Sequence, residues 1–327
     1  MAIARRNIID TESPGFYHCT NRCVRRAFLC GYDEEQKRNY DHRKSYLEQR
    51  MKLLCDVFAV NIFAYAIMSN HYHIVMYVDP GAPQLWTDKE VATRWLKVFP
   101  SRLDKPENSQ QREFRIQAIM NSPELLEKYR ERLGSISWFM RRLNEPMAKL
   151  SNQEDDCTGK FWEGRFTSQA LLDEAAVLSC MVYVDLNPVR AKISEKLIDS
   201  DFTSIKARLE KNQPYKDHEL PNEKLNAVSG SLEKQIIPVS LKDYINLTEW
   251  ASKSILHPTK ATMPYNIESV LNRLNLQSNH WLHQLEQWGN NYRYAVGPVT
   301  NIREAARKLS KRYFKGISSA IRLYASN

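Results

Sequence analysis

The chain has 327 residues, 43 % of them hydrophobic and 10 % aromatic, and Lys plus Arg outnumber Asp plus Glu by 47 to 38, a net charge of +9. That apolar and aromatic content excludes a disordered chain, and at roughly 100 to 200 residues per domain the length predicts two domains with a sizeable core. The positive balance favours an anionic partner and is concentrated, because residues 301 to 327 hold seven basic groups and one acid.

At the N-terminus, "MAIARRNIID" has no apolar run behind its arginines. The longest nearly apolar stretch, "VFAVNIFAYAIM", is too short to cross a bilayer, so a cytoplasmic protein with no membrane partner is expected. The six cysteines (Cys19, Cys23, Cys30, Cys55, Cys157 and Cys180) form no CxxC pair and read as reduced thiols.

"PGFYHCTNRC" opens on a turn signal and predicts a strand near 16 to 22. The segment from 34 to 57, acidic first and apolar at helical spacing towards its end, predicts a helix. The apolar segments 59 to 67 and 71 to 78 predict a β-hairpin with Ser69 and Asn70 as its turn. Residues 80 to 133 read as a helical insertion. "GSISWFMRRLNEPMAKLSNQ" resumes an amphipathic helix with a kink at Pro146, and "KFWEGRFTSQALL" reads as a strand of period two. In that strand Trp162, Phe166, Ala170 and Leu172 form the core face, and Glu163, Arg165, Thr167 and Gln169 the polar one.

Without the insertion the order is strand, helix, strand, strand, helix, strand. This predicts an α+β, ferredoxin-like (split βαβ) antiparallel sheet with helices on one face and the other face free for a ligand. A further helix begins at the N-cap Asp173 and ends near Asn187, ahead of Pro188. The expected division is a catalytic domain over 1 to 207, a Lys-, Asn-, Glu- and Pro-rich linker over 208 to 240, and a basic helical extension over 241 to 327.

Within the hairpin, "MSNHYHIVMYV" carries two imidazoles on what otherwise reads as a core strand. Residues two apart on a strand share a face, with Cα atoms roughly 6.5 to 7 Å apart, so His71 and His73 can converge on one ion or stand as hydrogen-bonded core histidines. The helix from 173 to 187 is apolar nearly all round except for Ser179, Tyr183 and Asn187, which stack at a spacing of four and ask for a partner. Tyr183 fits a core tyrosine or a nucleophile, and Asn187 a helix stop or an oxygen ligand. Together these residues describe two imidazoles and an amide oxygen holding a divalent cation, with a tyrosine hydroxyl one helical turn away. A cation so held is a Lewis acid for a phosphate under attack.

"MSNHYHIVMYV", "GKFWEGRF" and above all "LLDEAAVLSCMVYVDLNPVRAKI" with "SDFTSI" resemble the REP-associated tyrosine transposases, a branch of the single-tyrosine HUH nucleases, over roughly 13 to 205. The resemblance implies a metal-dependent, single-stranded DNA endonuclease and transesterase that cleaves and rejoins DNA at REP-type palindromes through a 5′-phosphotyrosine, with a nucleoid-associated location. It implies Tyr183 as nucleophile, His71, His73 and Asn187 as metal ligands, Mg²⁺ or Mn²⁺ as cofactor, and single-stranded or hairpin DNA as partner, with monomer and homodimer equally open. The rival readings are a hairpin-DNA-binding protein without cleavage and another HUH nuclease such as a replication initiator.

Basic groups interleaved with aromatics suit single-stranded nucleic acid, and on that ground Arg22, Arg25, Arg26, Lys160 and Arg165 are expected DNA contacts. In the tail Arg303, Arg307 and Lys311 line one helical face, while Ile302, Ala305, Ala306, Leu309 and Phe314 can pack inward. This face reads either as a grip on a hairpin stem or as a solvated surface.

Overall fold

The structure is a computed structural model that describes residues 12–24, 30–33, 37–100, 109–211, 222–232, 236–257 and 262–324. Strand β1 (Gly15–Arg22) leads into a two-strand ribbon of β2 (Tyr32–Asp33) and β3 (Arg38–Asn39), then helix α1 (His42–Cys55), β4 (Val60–Ile67) and β5 (His71–Val78). The hairpin turns at Ser69 and Asn70, where the Met68 amide donates to the carbonyl of His71 at 2.8 Å. Helix α1 begins later than the acidic run predicts. Arg38 and Asn39 are held in the ribbon, and the Asn39 side-chain oxygen takes the Asp41 amide at 2.8 Å, so the helix starts only at His42.

The insertion consists of a 3₁₀ turn (Ala82–Leu85), α2 (Asp88–Val98), α3 (Ser109–Met120) and α4 (Pro123–Leu133). Thr87 and Ser122 cap α2 and α4 by accepting the amides of Glu90 and Leu125. Helix α5 (Ile136–Glu154) runs through Pro146, followed by β6 (Thr167–Leu171), α6 (Glu174–Asp185), α7 (Asn187–Arg190) and α8 (Ser204–Lys211). The strand read over 160 to 172 is shorter than predicted. Trp162 bridges Cys23 and the Glu163 amide donates to the Arg22 carbonyl at 2.9 Å, but the exposed Gly164 and Arg165 break the pairing before Thr167 resumes it.

The main sheet has the order β4-β5-β1-β6, antiparallel throughout, extended by the two-residue β7 (Ala295–Val296) parallel to β6. Helices α1 and α5 cover one face, burying Leu47, Leu54, Phe139 and Leu143 against Tyr17, Cys19, Tyr72 and Ile74. The opposite face is covered as well, which corrects the expectation of a free one. Every residue of α6 from Ala175 to Asp185 is buried, and a helix apolar all round needs cover on two sides. The sheet supplies one side through Phe16, Phe63, Ala64 and Val75. The other comes from α9 (Leu241–Leu256), α10 (Tyr265–Arg273), α11 (Ser278–Glu286) and α12 (Trp288–Asn291), whose Ile245, Leu271, Trp281 and Trp288 share the same core. Beyond β7, α13 (Val299–Lys308) and α14 (Ile317–Leu323) close the fold.

Part of the stretch read as linker packs along the sheet edge. The Ile62 amide donates to Ser229 and its carbonyl accepts from Val228, both at 2.8 Å, so this backbone occupies hydrogen-bonding groups that an edge strand otherwise exposes. Gly230 makes the approach possible, because at φ +114° a side chain is strained and a Cβ would fall 2.2 Å from the Asn61 side-chain oxygen. Among the described residues no helix is long and apolar enough to cross a membrane, and the six cysteines form no disulfide.

Candidate catalytic centre between strand β5 and helix α6

Strand alternation sends Tyr72 into the α1–α5 layer, where its hydroxyl donates to Asn144 at 2.6 Å, and turns His71 and His73 towards α6. Their ring centroids are 5.0 Å apart. From α6, the Tyr183 ring stands nearly perpendicular to His73 with centroids 5.7 Å apart. The structure thus brings together one strand and one helix more than 100 positions apart in the chain, at the three residues singled out in the sequence.

A third imidazole joins them. His18 of β1 lies nearly parallel to His73 at 5.1 Å, with its Nε2 2.9 Å from His73 Nδ1, and its ring is 6.0 Å from Tyr183. The sequence marks His18 only as a residue of the first strand; its role depends on β1 pairing directly with β5, which places Thr20 opposite His73. Gln169 of β6, in register with His18, also bonds that imidazole and accepts the Trp288 indole N–H at 2.9 Å.

Burial pushes the His18 imidazole down to about 4. It does the same to His71, with Arg22 adding to the effect, and holds His73 well below the usual histidine value, assisted by His18, His71, Arg190 and Arg22. All three rings are therefore neutral near pH 7, with a lone pair each. His71 Nδ1–H donates to the Asn70 side-chain oxygen at 2.5 Å, which leaves its Nε2 bare. The 2.9 Å contact between His18 and His73 allows two tautomer pairs, and in one of them His73 Nδ1–H donates to His18 Nε2. His73 Nε2 is then bare as well. Two unprotonated imidazole nitrogens are a donor set that suits a divalent transition-type cation. Among the described residues, no group of three or more His, Cys, Asp and Glu is arranged to hold a metal ion, so further ligands have to come from elsewhere.

The polar stripe of α6 finds its partners in the C-terminal helices. Ser179 accepts the Trp281 indole N–H at 2.8 Å, and the Trp288 ring stacks on Tyr183 at 5.7 Å and 22°. Asn187, buried, donates its amide N–H to the carbonyls of Tyr183 at 3.0 Å and Val184 at 3.2 Å, which closes the end of α6 and leaves its side-chain oxygen. Arg190 lies over the Tyr183 ring at 4.7 Å and is tied to the Glu286 carbonyl at 2.9 Å. A Cβ on Gly289 would come 3.9 Å from the Tyr183 hydroxyl, so the phenol oxygen sits against the backbone of α12, and Tyr183 is only 8 % exposed.

Of the expected DNA contacts, Arg22 is exposed and pairs in register with His71, beside the centre. Arg25 and Arg26 lie outside the described residues. Lys160 and Arg165 are exposed, but Arg165 lines a cleft on the reverse face of the sheet with Trp138 and Arg141, which corrects its expected position near the histidines. It is displaced because the break at Gly164 takes it out of strand alternation. Arg303 and Arg307 project from α13, Lys311 is half-buried just beyond it, and Ile302, Ala306 and Phe314 pack inward. The sequence reading missed His18, Gln169, Arg190 and Trp288; of these only Arg190, three residues after Asn187 in "NPVR", carried a local signal.

The neutral imidazoles have a consequence for stability. A histidine that titrates near 4 when folded and near 6.5 when unfolded stabilises the fold above pH 6.5, and that contribution is lost as pH falls through this window, on the order of 3 kcal/mol for a buried ring such as His18. Asp173 and Asp185, raised to about 6 by burial, work in the opposite sense, since their protonation on acidification favours the folded state. A His18→Asn variant should therefore lose less stability than the parent between pH 6.5 and 4, measured as midpoints of urea unfolding at each pH. Parallel curves for the two proteins would contradict a neutral buried His18.

No family model matches the chain, and no curated protein matches it. Among solved structures, similarity is found to a REP-associated tyrosine transposase bound to a REP hairpin, at 12 % sequence identity, covering 72 % of this chain and 96 % of that one, with a TM-score of 0.35. The likeness is a distant one.

Proposed function

We propose that the chain is a single-strand-specific DNA transesterase of the single-tyrosine HUH type, acting on REP-like hairpin DNA, with Tyr183 as the nucleophile. The observation that carries this reading is the convergence of His71, His73 and Tyr183, whose rings lie 5.0 and 5.7 Å apart in sequence. The strand order supports a ferredoxin-like core: with β7 set aside, the first strand of the βαββαβ unit lies between the third and the fourth, and the second pairs with the third at the sheet edge.

In this reading the Tyr183 hydroxyl oxygen attacks the scissile phosphorus. The new bond joins tyrosine to the 5′-phosphate, the bond from phosphorus to the 3′-oxygen breaks, the phenol proton passes to solvent and the leaving oxygen takes up a proton to become a 3′-hydroxyl. His71 and His73 would hold Mg²⁺ or Mn²⁺ through their bare Nε2 atoms, with the Asn187 oxygen as a further ligand. Bound there, the cation would supply Lewis-acid stabilisation of charge on the phosphate. Arg190 and Arg22 add positive charge around the same point. The test is an SDS-resistant adduct between the protein and an end-labelled hairpin oligonucleotide in the presence of Mn²⁺. Hairpin binding without an adduct under any divalent cation would replace this reading with that of a non-cleaving DNA-binding protein, which the near-complete burial of Tyr183 favours.

The basic surface formed by Arg303 and Arg307 of α13 with the half-buried Lys311 just beyond it is proposed as a second contact to the DNA backbone. Replacing Arg303, Arg307 and Lys311 together by Gln should lower the slope of log affinity against log salt by up to about 3. Titrations at several salt concentrations check this, and an unchanged slope would make the face a solvated surface.

A further inference from the structure

On the face of the sheet remote from the histidines, a cleft of about 460 Å³ opens between α5 and the broken segment ahead of β6. Its aromatic walls are Trp138 and Trp162, Asn21 and Asn144 are its buried polar residues, and Arg141 and Arg165 are its exposed basic ones. The volume falls in the roughly 300 to 1,000 Å³ range of small-ligand sites.

The walls are held rigidly. The Trp162 indole N–H donates to the Asn144 carbonyl at 3.0 Å, its ring meets Tyr72 edge-on at 5.7 Å, and Asn144 takes the Tyr72 hydroxyl. Trp138 is backed by the Arg132 guanidinium at 4.2 Å from its ring centroid, and Arg141 lies 5.1 Å from the same ring. Arg141 is paired with Glu145 at 2.7 Å, but both side chains are about half exposed, and a surface pair of this kind yields readily to a competing ligand. The combination of aromatic faces, amide side chains and exposed guanidinium groups matches a nucleobase with its flanking phosphates.

The location adds to the chemistry. Asn21 in the cleft and Arg22 beside the centre are consecutive residues at the end of β1, so the cleft and the histidines lie on opposite faces of the same end of the sheet. We infer that this cleft binds an unpaired nucleotide of single-stranded DNA. The base inserts between Trp138 and Trp162, and Arg141 and Arg165 hold the adjoining phosphates of a strand turning over the sheet end. The inference rests on the proposed single-stranded DNA substrate but assigns it a second binding position, away from the reacting phosphate.

The test uses the full chain carrying Tyr183→Phe, so that binding is read without cleavage, and a fluorescein-labelled oligothymidylate followed by anisotropy. Trp138→Ala and the exposed Arg165→Glu are each expected to weaken binding at least tenfold, whereas Trp138→Phe keeps most of it. An oligonucleotide carrying 5-iododeoxyuridine should crosslink under ultraviolet light to the peptide containing Trp138 or Trp162. Unchanged affinity in Arg165→Glu, together with crosslinks mapping elsewhere, would overturn the assignment. Adduct formation on the unmodified chain is scored separately: an adduct with normal binding by both cleft variants sinks the cleft alone, and weakened binding without any adduct sinks the transesterase alone.

Discussion

A Tyr183→Phe protein should fold normally, bind DNA and form no covalent adduct. The substitution keeps the ring that stacks on Trp288, meets His73 edge-on and lies under Arg190, and removes one oxygen that stands against the backbone of Gly289. The packing cost is therefore small, while the chemical cost is complete, because no other atom of the side chain can form an ester with phosphate. Removing a nucleophile lowers turnover by roughly 10⁴-fold or more in enzymes that use covalent catalysis. The measurement is a pair: adduct yield on a gel and melting temperature by circular dichroism. Persistence of the adduct would move the nucleophile to another hydroxyl, and a large drop in melting temperature would recast Tyr183 as a core residue.

The largest effect on stability is expected at Asp185, the last residue of α6. Its carboxylate is fully buried; one oxygen accepts the Ser204 hydroxyl at 2.5 Å and the Ile205 amide at 3.0 Å, and the other accepts the hydroxyl of Tyr244. This one side chain therefore ties α6 to the start of α8 and to α9. Asp185→Ala would leave buried donors on Ser204, Ile205 and Tyr244 without an acceptor, each costing about 1 to 3 kcal/mol, for a total loss on the order of 4 kcal/mol. Chemical denaturation of the two proteins measures it, and a loss below about 1 kcal/mol would show that water or a rearranged neighbour replaces the carboxylate. Asp185 titrates near 6 in the fold against an ordinary value near 3.8, so its protonation on acidification favours the folded state, and the Ala variant should lack that component of the pH response.

Much of the core of this arrangement was visible in the sequence because it depends on short periods. The hairpin, the shared face of His71 and His73, and the stacked line of Ser179, Tyr183 and Asn187 all follow from periods of 2 and 3.6. Helix starts and strand ends were less readable. The ribbon of Arg38 and Asn39 delays α1 through its own hydrogen bonds, and the exposed Gly164 and Arg165 interrupt the strand before β6. His18 and Gln169 were missed because their roles come from neighbours across the sheet, and strand order is not written in any single strand. Trp281 and Trp288 were missed for a related reason. The stripe on α6 asked for polar partners, but nothing local in the sequence says that indole N–H and ring faces, about 100 residues downstream, would answer it.

The enclosure of α6 bears on how the polypeptide can be dissected. A fragment ending ahead of Leu241 would keep the histidines and the phenol, yet it would strip Ile245, Trp281 and Trp288 from a helix that is apolar nearly all round. Such a fragment would carry a greasy, adhesive flank into solution and precipitate or self-associate, so insolubility of a shortened version would say nothing about whether the intact molecule cuts DNA.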